Sequence, residues 1–369
     1  MILVAALTVA MLGIGSLAIN IAYVELSRTQ IRTTADAAAK AALVTLSETQ
    51  SRAQARQAAR SVGRQNTVLG NQLAIPNSDI RFGSAVEVDG KYTFVNNGRP
   101  LNSVQLTVRF GDGSNNSAAS TLFSSFVGTG SFSGDETAIA GRYDHDVIVV
   151  VDRSGSMAWD DSGVDFAYPG DQAGDSTVQN YFRPPHATGS RWAALVEALE
   201  VFDGVLGERD LNPQVGLVSY SSDYTFGVYD SEEVTLEQPL TTETSLVLEA
   251  AVRIGDGVLV GDTNIASGLR EGRRALLDRN LRRITATRTI ILLSDGVATE
   301  GGDAVVVAQT CVNPRIKIHT ISFSDGADQD EMLAIADTTG GKHFHAPTAE
   351  QLREAFRRIA EELPATLTF

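Results

Sequence analysis

Cysteine is almost absent: Cys311 is the single one in 369 residues. An intramolecular disulfide is therefore excluded, as is a zinc site built from thiolates. Cys311 lies in an apolar stretch, residues 304–312, and is expected as a small buried side chain. Positive charge is also scarce. The chain has 30 Lys and Arg against 45 Asp and Glu, a formal net charge of −15. Such a chain repels phosphate backbones, so nucleic acid is not an expected partner. No H-E-x-x-H and no G-x-x-x-x-G-K-[ST] sequence occurs, which leaves zinc-peptidase and P-loop chemistry without a carrier. The apolar fraction of 43% still allows a sizeable core.

Charge is missing altogether from residues 2–24, ILVAALTVAMLGIGSLAINIAYV. A helix needs about 20 such residues to cross the hydrocarbon core. The run is too long for an ordinary signal-peptide core, and nothing basic precedes it. It is expected to be a single membrane anchor, with Ser16 and Asn20 as tolerable polar interruptions. The nearest cations, Arg28, Arg32 and Lys40, all follow it. Taken alone, they would place the large domain in the cytoplasm. Residues 25–65 contain no Pro and no Gly before Gly63, and alanine dominates them. A helix is expected to continue through them, with Ala35, Ala38, Ala42 and Leu46 on one face.

Residues 66–140 differ in texture. Val86 and Val88, then Tyr92 and Phe94, flank Asp89-Gly90, a hairpin signal. Val104, Leu106 and Val108 alternate with polar residues, as on a half-buried strand. Phe123 and Phe126 are candidates to pack the helix onto this small sheet. The segment 111–116, GDGSNN, lacks EF-hand spacing and a distal Glu, and is expected to be a turn. Residues 128–141, rich in Ser and Gly, suit a linker.

The chemistry-bearing residues follow. Residues 146–157 read DVIVVVDRSGSM. Five β-branched residues in a row predict a fully buried parallel strand. Asp152, Ser154 and Ser156 stand at its carboxyl end, where open α/β sheets place their ligands. Residues 261–269, GDTNIASGL, form a loop opening a helix, and residues 288–296, RTIILLSDG, a second apolar strand ending at Asp295. Carboxylates and hydroxyls with no nitrogen or sulfur suit Mg²⁺, Ca²⁺ or Mn²⁺.

These segments resemble the von Willebrand factor A family, whose metal-ion-dependent adhesion site has the form D-x-S-x-S, a separate Thr, and an Asp after an apolar strand. Asp152, Ser154, Ser156, Thr263 and Asp295 match it, and the resemblance spans residues 146–363. It implies an α/β fold, a Rossmann-like sheet with helices on both faces. It also implies Mg²⁺ held by these five side chains, with one position open to a carboxylate from a protein partner, and no catalysis. Asn264 is a candidate to brace the loop. The expected elements include a helix over 191–206, a strand over 215–220, a short antiparallel edge strand at 226–229 and a helix over 265–277. A strand over 317–323, a helix near 329–336, a last strand at 343–345 and a closing helix over 349–363 complete the list.

A long insertion, residues 158–188, departs from the family pattern. It carries Asp160, Asp161, Asp165, Asp171, Asp175, Tyr168 and Tyr181, and is expected beside the metal. A solvated acidic loop, a lip for a partner and a further cation site are its open readings. His145, His186, His319, His343 and His345 are expected to be structural, because no third ligand accompanies the His343/His345 pair. Ser154 and Ser156 do not stand in a G-x-S-x-G elbow.

The N-terminal residues AYVELSRTQIRTTADAAAKAAL, with the D-A-A-A-x-A element at 36–41, are similar to TadG-type proteins of Tad (Flp) pilus assembly. That resemblance covers about the first 45 residues. It implies a bacterial cytoplasmic-membrane protein, single-pass, with its large part outside the cytoplasm. The basic flank usual before such an anchor is missing, and a start upstream of Met1 would supply it. The domain plan is residues 1–65 as anchor and continuing helix, 66–140 as a small β-rich region, and 146–363 as the A-type domain. Two functions follow. One is metal-dependent binding in envelope adhesion or pilus assembly. The other is a cytoplasm-facing adaptor for an ATPase- or chelatase-like complex.

Overall fold

The computed structural model describes residues 2–363 apart from 69, 89–90, 112–113, 117–118, 121–122, 124–130, 143 and 209–212. The chain divides into two units, one drawn from residues 1–143 and one from 144–365.

The first unit begins with α1 (Ile2–Thr49). Leu3, Leu7, Met11 and Ile14 are exposed. Among the described residues, this is the one helix long and apolar enough to cross a membrane. Farther along, one face closes against the rest of the unit, and Ala35, Ala38, Ala42 and Leu46 are fully buried at helical spacing, as expected. The helix does not run on to residue 65. It breaks at Gln50, whose φ is 54°, and Ser51 caps α2 (Arg52–Gln65) by accepting from Gln54 N. Propensity favours continuation, but a serine cap and the burial of Ala55, Ala59 and Gly63 reward a turn back against α1.

The short pair β1 (Thr67–Val68) and β2 (Asn71–Gln72) follows. Then come β3 (Ile80–Val88), β4 (Lys91–Asn96) and β5 (Ser103–Phe110). A second short pair is β6 (Ala119–Ser120) with β7 (Ser131–Phe132), before β8 (Gly134–Gly141). The main sheet has the order β4-β3-β5-β8 and is antiparallel throughout. Val104, Leu106 and Val108 all point into its core. The β3–β4 hairpin forms, although its tip at Asp89-Gly90 lies outside the described residues. In the 111–116 segment, Asn116 ties the turn down, donating to the carbonyls of Ala74 and Arg109 and accepting from Ala74 N. The packing role expected of Phe123 is not seen. Its side chain is exposed and its backbone N–H donates to Asn20 Oδ1 at 3.0 Å. Phe126 and residues 128–130 of the expected linker lie outside the described residues. The rest of that stretch is not a linker, because residues 134–141 form β8 and pair along their length with β5.

In the second unit, β9 (Asp144–Asp152) is buried along its whole length. It lies inside a six-stranded sheet with β10 (Pro213–Tyr220), β13 (Val234–Thr241), β14 (Ala286–Ser294), β15 (Ile316–Phe323) and β16 (His343–Ala346). The order is β13-β10-β9-β14-β15-β16. All pairings are parallel except β10 with β13. The antiparallel edge strand is thus β13, not residues 226–229. Those residues belong to a separate hairpin, β11 (Tyr224–Phe226) with β12 (Tyr229–Ser231).

Period-two alternation sends Val147, Val149 and Val151 to one face, under α4 (Arg191–Glu208), α5 (Ser245–Gly255) and α9 (Ala349–Glu362). Ile148 and Val150 face the other, under α6 (Ile265–Leu276), α7 (Ala304–Val312) and α8 (Gln329–Thr339). Cys311 is buried in this second layer. The chain leaves β9 toward β10 and β13, then returns to β14 on the other flank. The order therefore reverses between β9 and β14, and the crevice of such a sheet opens at the carboxyl ends of those two strands.

Candidate metal centre

Asp152 ends β9, and Asp295 follows β14 by one residue. The pairing of these strands delivers both carboxyls to the crevice. After Asp152 the chain turns sharply. Ser154 N donates to Asp152 Oδ1 at 2.8 Å, and a 3₁₀ turn over Gly155–Ala158 brings Ser156 back toward Ser154. The two hydroxyl oxygens are 3.0 Å apart, and Ser156 Oγ donates to Asp295 Oδ1 at 2.9 Å. Ser294 Oγ donates to the other oxygen of Asp152 at 3.0 Å.

Thr263 arrives on a third loop, and that loop is pinned from several sides. Gly155 N donates to Gly261 O at 3.2 Å, and Asp262 N to Ser222 Oγ at 2.8 Å. Thr263 N donates to Thr299 Oγ1 at 3.0 Å, and Thr263 O accepts from Thr299 N and Glu300 N. A Cβ on Gly296 would stand 3.8 Å from Thr263 Oγ1, so this hydroxyl lies over the backbone next to Asp295. It makes no hydrogen bond to any described residue. Asn264 caps α6, accepting from Ser267 N at 3.0 Å, and also donates to Glu233 Oε1 at 2.6 Å. The bracing expected of it is therefore local and visible.

Four of the five residues singled out in the sequence form one hydrogen-bonded chain, and the fifth stands beside it. Asp152, Ser154, Asp295 and Thr263 are all buried. Burial pushes the Asp152 carboxyl up to about 7, and the nearby Asp295 charge adds to this; the bonds from Ser154 and Ser294 oppose it. Burial also raises Asp295, against the guanidinium of Arg191. Two buried carboxyls beside three hydroxyls form a hard-oxygen set that a divalent cation would satisfy. Among the described residues no group of three or more His, Cys, Asp or Glu side chains converges. A site of two carboxylates and three hydroxyls is of a different kind, and the donors present fit Mg²⁺, Ca²⁺ or Mn²⁺. In the insertion, Asp175 pairs with Arg183 at 2.6 Å, and Asp171 lies 3.4 Å from His186.

The insertion does reach the crevice. Its helix α3 (Thr177–Tyr181) sets the Tyr181 ring against Gly155. Phe182 stacks on Tyr229 with centroids 4.9 Å apart. His343 and His345 hydrogen-bond Thr320 and Ser322 on the neighbouring strand, as structural histidines do.

Some site residues were not singled out in the sequence. Ser294 was visible only as the neighbour of Asp295. Arg153, the variable residue of D-x-S, binds Ser219 on β10 and Ser231 on β12, and so ties the end of β9 to both. Arg191 opens α4 and pairs with Asp295 Oδ2 at 2.7 Å, both side chains almost fully buried. A cation at the first position of a helix opposes the macrodipole, and that mismatch was the available signal.

The family model for the von Willebrand factor type A domain matches residues 186–358. The chain carries a von Willebrand factor type A domain. The match begins beyond the D-x-S-x-S segment, in the last residues of the insertion. A second family model, Flp pilus-assembly TadE/G-like, matches residues 1–60. With the long apolar helix, this makes the protein a membrane-associated A-domain protein, and A domains generally mediate protein interactions.

Solved structures that are similar include BatB from Bacteroides thetaiotaomicron, at 16% identity and a TM-score of 0.41, covering 59% of this chain and 98% of that one. An aerotolerance-related membrane protein from Bacteroides fragilis is similar at 15% and 0.41, covering 59% and 99%. The pilus adhesin SpaC from Lactobacillus rhamnosus GG is similar at 14% and 0.43, covering 79% of this chain and 36% of that one. Comparison with curated proteins finds no match.

Proposed function

We propose that the A domain binds a protein partner through a divalent cation, in envelope adhesion or Tad-type pilus assembly, from an anchor in the bacterial cytoplasmic membrane. Asp152, Ser154, Ser156, Thr263 and Asp295 would hold the ion, Mg²⁺ first and Ca²⁺ or Mn²⁺ as alternatives. The supporting observation is the chain Ser154–Ser156–Asp295 with the unpartnered Thr263 hydroxyl beside it. The bound ion would supply a Lewis-acidic point for a carboxylate of the partner. The protein's own residues do the rest. Asp152 and Asp295 provide charge, the hydroxyls set the spacing, and the buried strands beneath keep the loops from relaxing. The reading is of binding without catalysis.

Calorimetry with Mg²⁺ on the full chain in detergent tests it. Wild type should bind one ion, and Asp152→Ala should lose that heat while keeping its circular dichroism spectrum. Equal affinity in the two proteins would contradict the assignment.

The cations that follow the apolar span favour a second reading, an adaptor on the cytoplasmic face. Protease treatment of spheroplasts separates the two. Digestion of the A domain supports the outside placement, and full protection supports the adaptor.

A further inference from the structure

Arg191 is 3% exposed, although its residue type is among those least often buried. Its guanidinium is held on three sides. Nη1 donates to Asp295 Oδ2 at 2.7 Å and Nε to Asp160 O at 2.9 Å, while its central carbon lies 5.4 Å from the Trp159 ring centre. Its backbone N–H donates to Trp159 O at 2.8 Å. The stem of the insertion and the carboxyl of Asp295 therefore share one anchor. Two physical consequences follow. With Oδ2 turned to Arg191, the oxygen of Asp295 left for the hydroxyls is Oδ1, and that is the one Ser156 binds. Charge is the second. Two ionised carboxylates and one guanidinium sum to −2 + 1 = −1, half of what a divalent ion needs for neutrality. At short range in a buried site a single charge is felt strongly.

We propose that Arg191 is a positioning residue of the metal centre that, paired with Asp295, offsets half of the negative charge of the two carboxylates, so that a bound divalent ion stays net positive and takes a carboxylate from outside. The inference rests on the metal-binding reading above and deepens it. It assigns the preference for an anionic partner to this chain's own arginine. A purely structural Arg191 would hold α4 and the insertion together and leave ion and anion affinities coupled in no particular direction. A charge-setting Arg191 moves them in opposite directions.

The experiment uses the full chain in nanodiscs, with Mn²⁺ as the ion and acetate as the carboxylate probe, both followed by electron paramagnetic resonance. Wild type, Arg191→Lys and Arg191→Gln are compared. Arg191→Gln should bind Mn²⁺ at least tenfold more tightly, and its loaded form should bind acetate at least tenfold more weakly. Arg191→Lys, which keeps the charge, should stay within about threefold of wild type on both. Arg191→Met carries the same expectation as Gln and replaces it if the Gln variant does not fold. Unchanged or weaker Mn²⁺ binding by a folded neutral variant overturns the inference while leaving the metal centre standing. Failure of wild type itself to bind Mn²⁺ overturns the centre and the inference with it.

Discussion

A buried carboxyl that lacks a fixed positive partner opposes the fold that buries it. Asp152 is such a residue: it is fully buried, its bonds come from neutral donors, and the charge that acts on it most, Asp295, has its own sign. Its folded carboxyl titrates at about 7, against 3.8 for the unshifted group. The folded state therefore holds the proton more tightly than the unfolded state. Metal-free stability is greatest below about 4 on this account, and falls as pH rises to about 7. The loss is on the order of a few kcal/mol, taking 1.36 kcal/mol per unit. Asp152→Asn should flatten that slope and raise the melting temperature in chelator at pH 8. A divalent ion should do the same for wild type, because it takes the place of the proton. Melting curves from pH 4 to 8, with EDTA or with Mg²⁺, check this. A wild-type protein that gains stability with rising pH in EDTA, relative to Asp152→Asn, would show that another group dominates.

Secondary-structure elements differed in how openly the sequence declared them, and the reason is burial. β9 and β14 are covered on both faces, so they read as unbroken apolar runs and were placed with Asp152 and Asp295 at their ends. β13 is half exposed along most of its length and contains Pro239, tolerated because it lies at the sheet edge; neither alternation nor a run marked it. The same length of chain also hid α5, and the edge strand was assigned to the hairpin before it. Asp152, Ser154 and Ser156 could be named because their spacing is local, and Thr263 and Asp295 because the resemblance to the von Willebrand factor A family supplies the order of the distant motifs. Arg191 could not be tied to Asp295, because it belongs to no motif and 104 residues separate the two.

Close packing shows the same limit at Gly268 of α6. A Cβ there would stand 2.5 Å from Tyr220 Cδ1 and 2.9 Å from Val150 Cγ1. The helix can therefore lie on β9 and β10 only with glycine at that point. Gly268→Ala favours the helix by intrinsic propensity, yet should destabilise the domain by about 1–3 kcal/mol through overpacking. Because α6 begins just after Thr263, weaker Mg²⁺ binding should accompany it. Urea denaturation measures the first effect and calorimetry the second. A stabilised variant would mean that α6 is free to shift.

At the scale of the molecule, the two units face different physical problems. The A domain satisfies itself: two apolar layers close over both faces of its sheet. The first unit leaves Leu3, Val4, Leu7, Met11, Leu12 and Ile14 uncovered along α1. That much contiguous apolar surface is unstable in water, and a bilayer removes it at the same helical length. Removing residues 2–24 should therefore change where the protein resides and leave ion binding as it was. In membranes extracted with alkaline carbonate, the full chain should stay in the pellet and the shortened chain should move to the supernatant. The Mg²⁺ affinity of the two should agree within about twofold, since no ligand of the proposed centre comes from the removed segment. A shortened chain that still pellets with extracted membranes would mean that another surface holds the protein there. A shortened chain that is released but binds Mg²⁺ much more weakly would mean that the centre depends on residues outside the A domain.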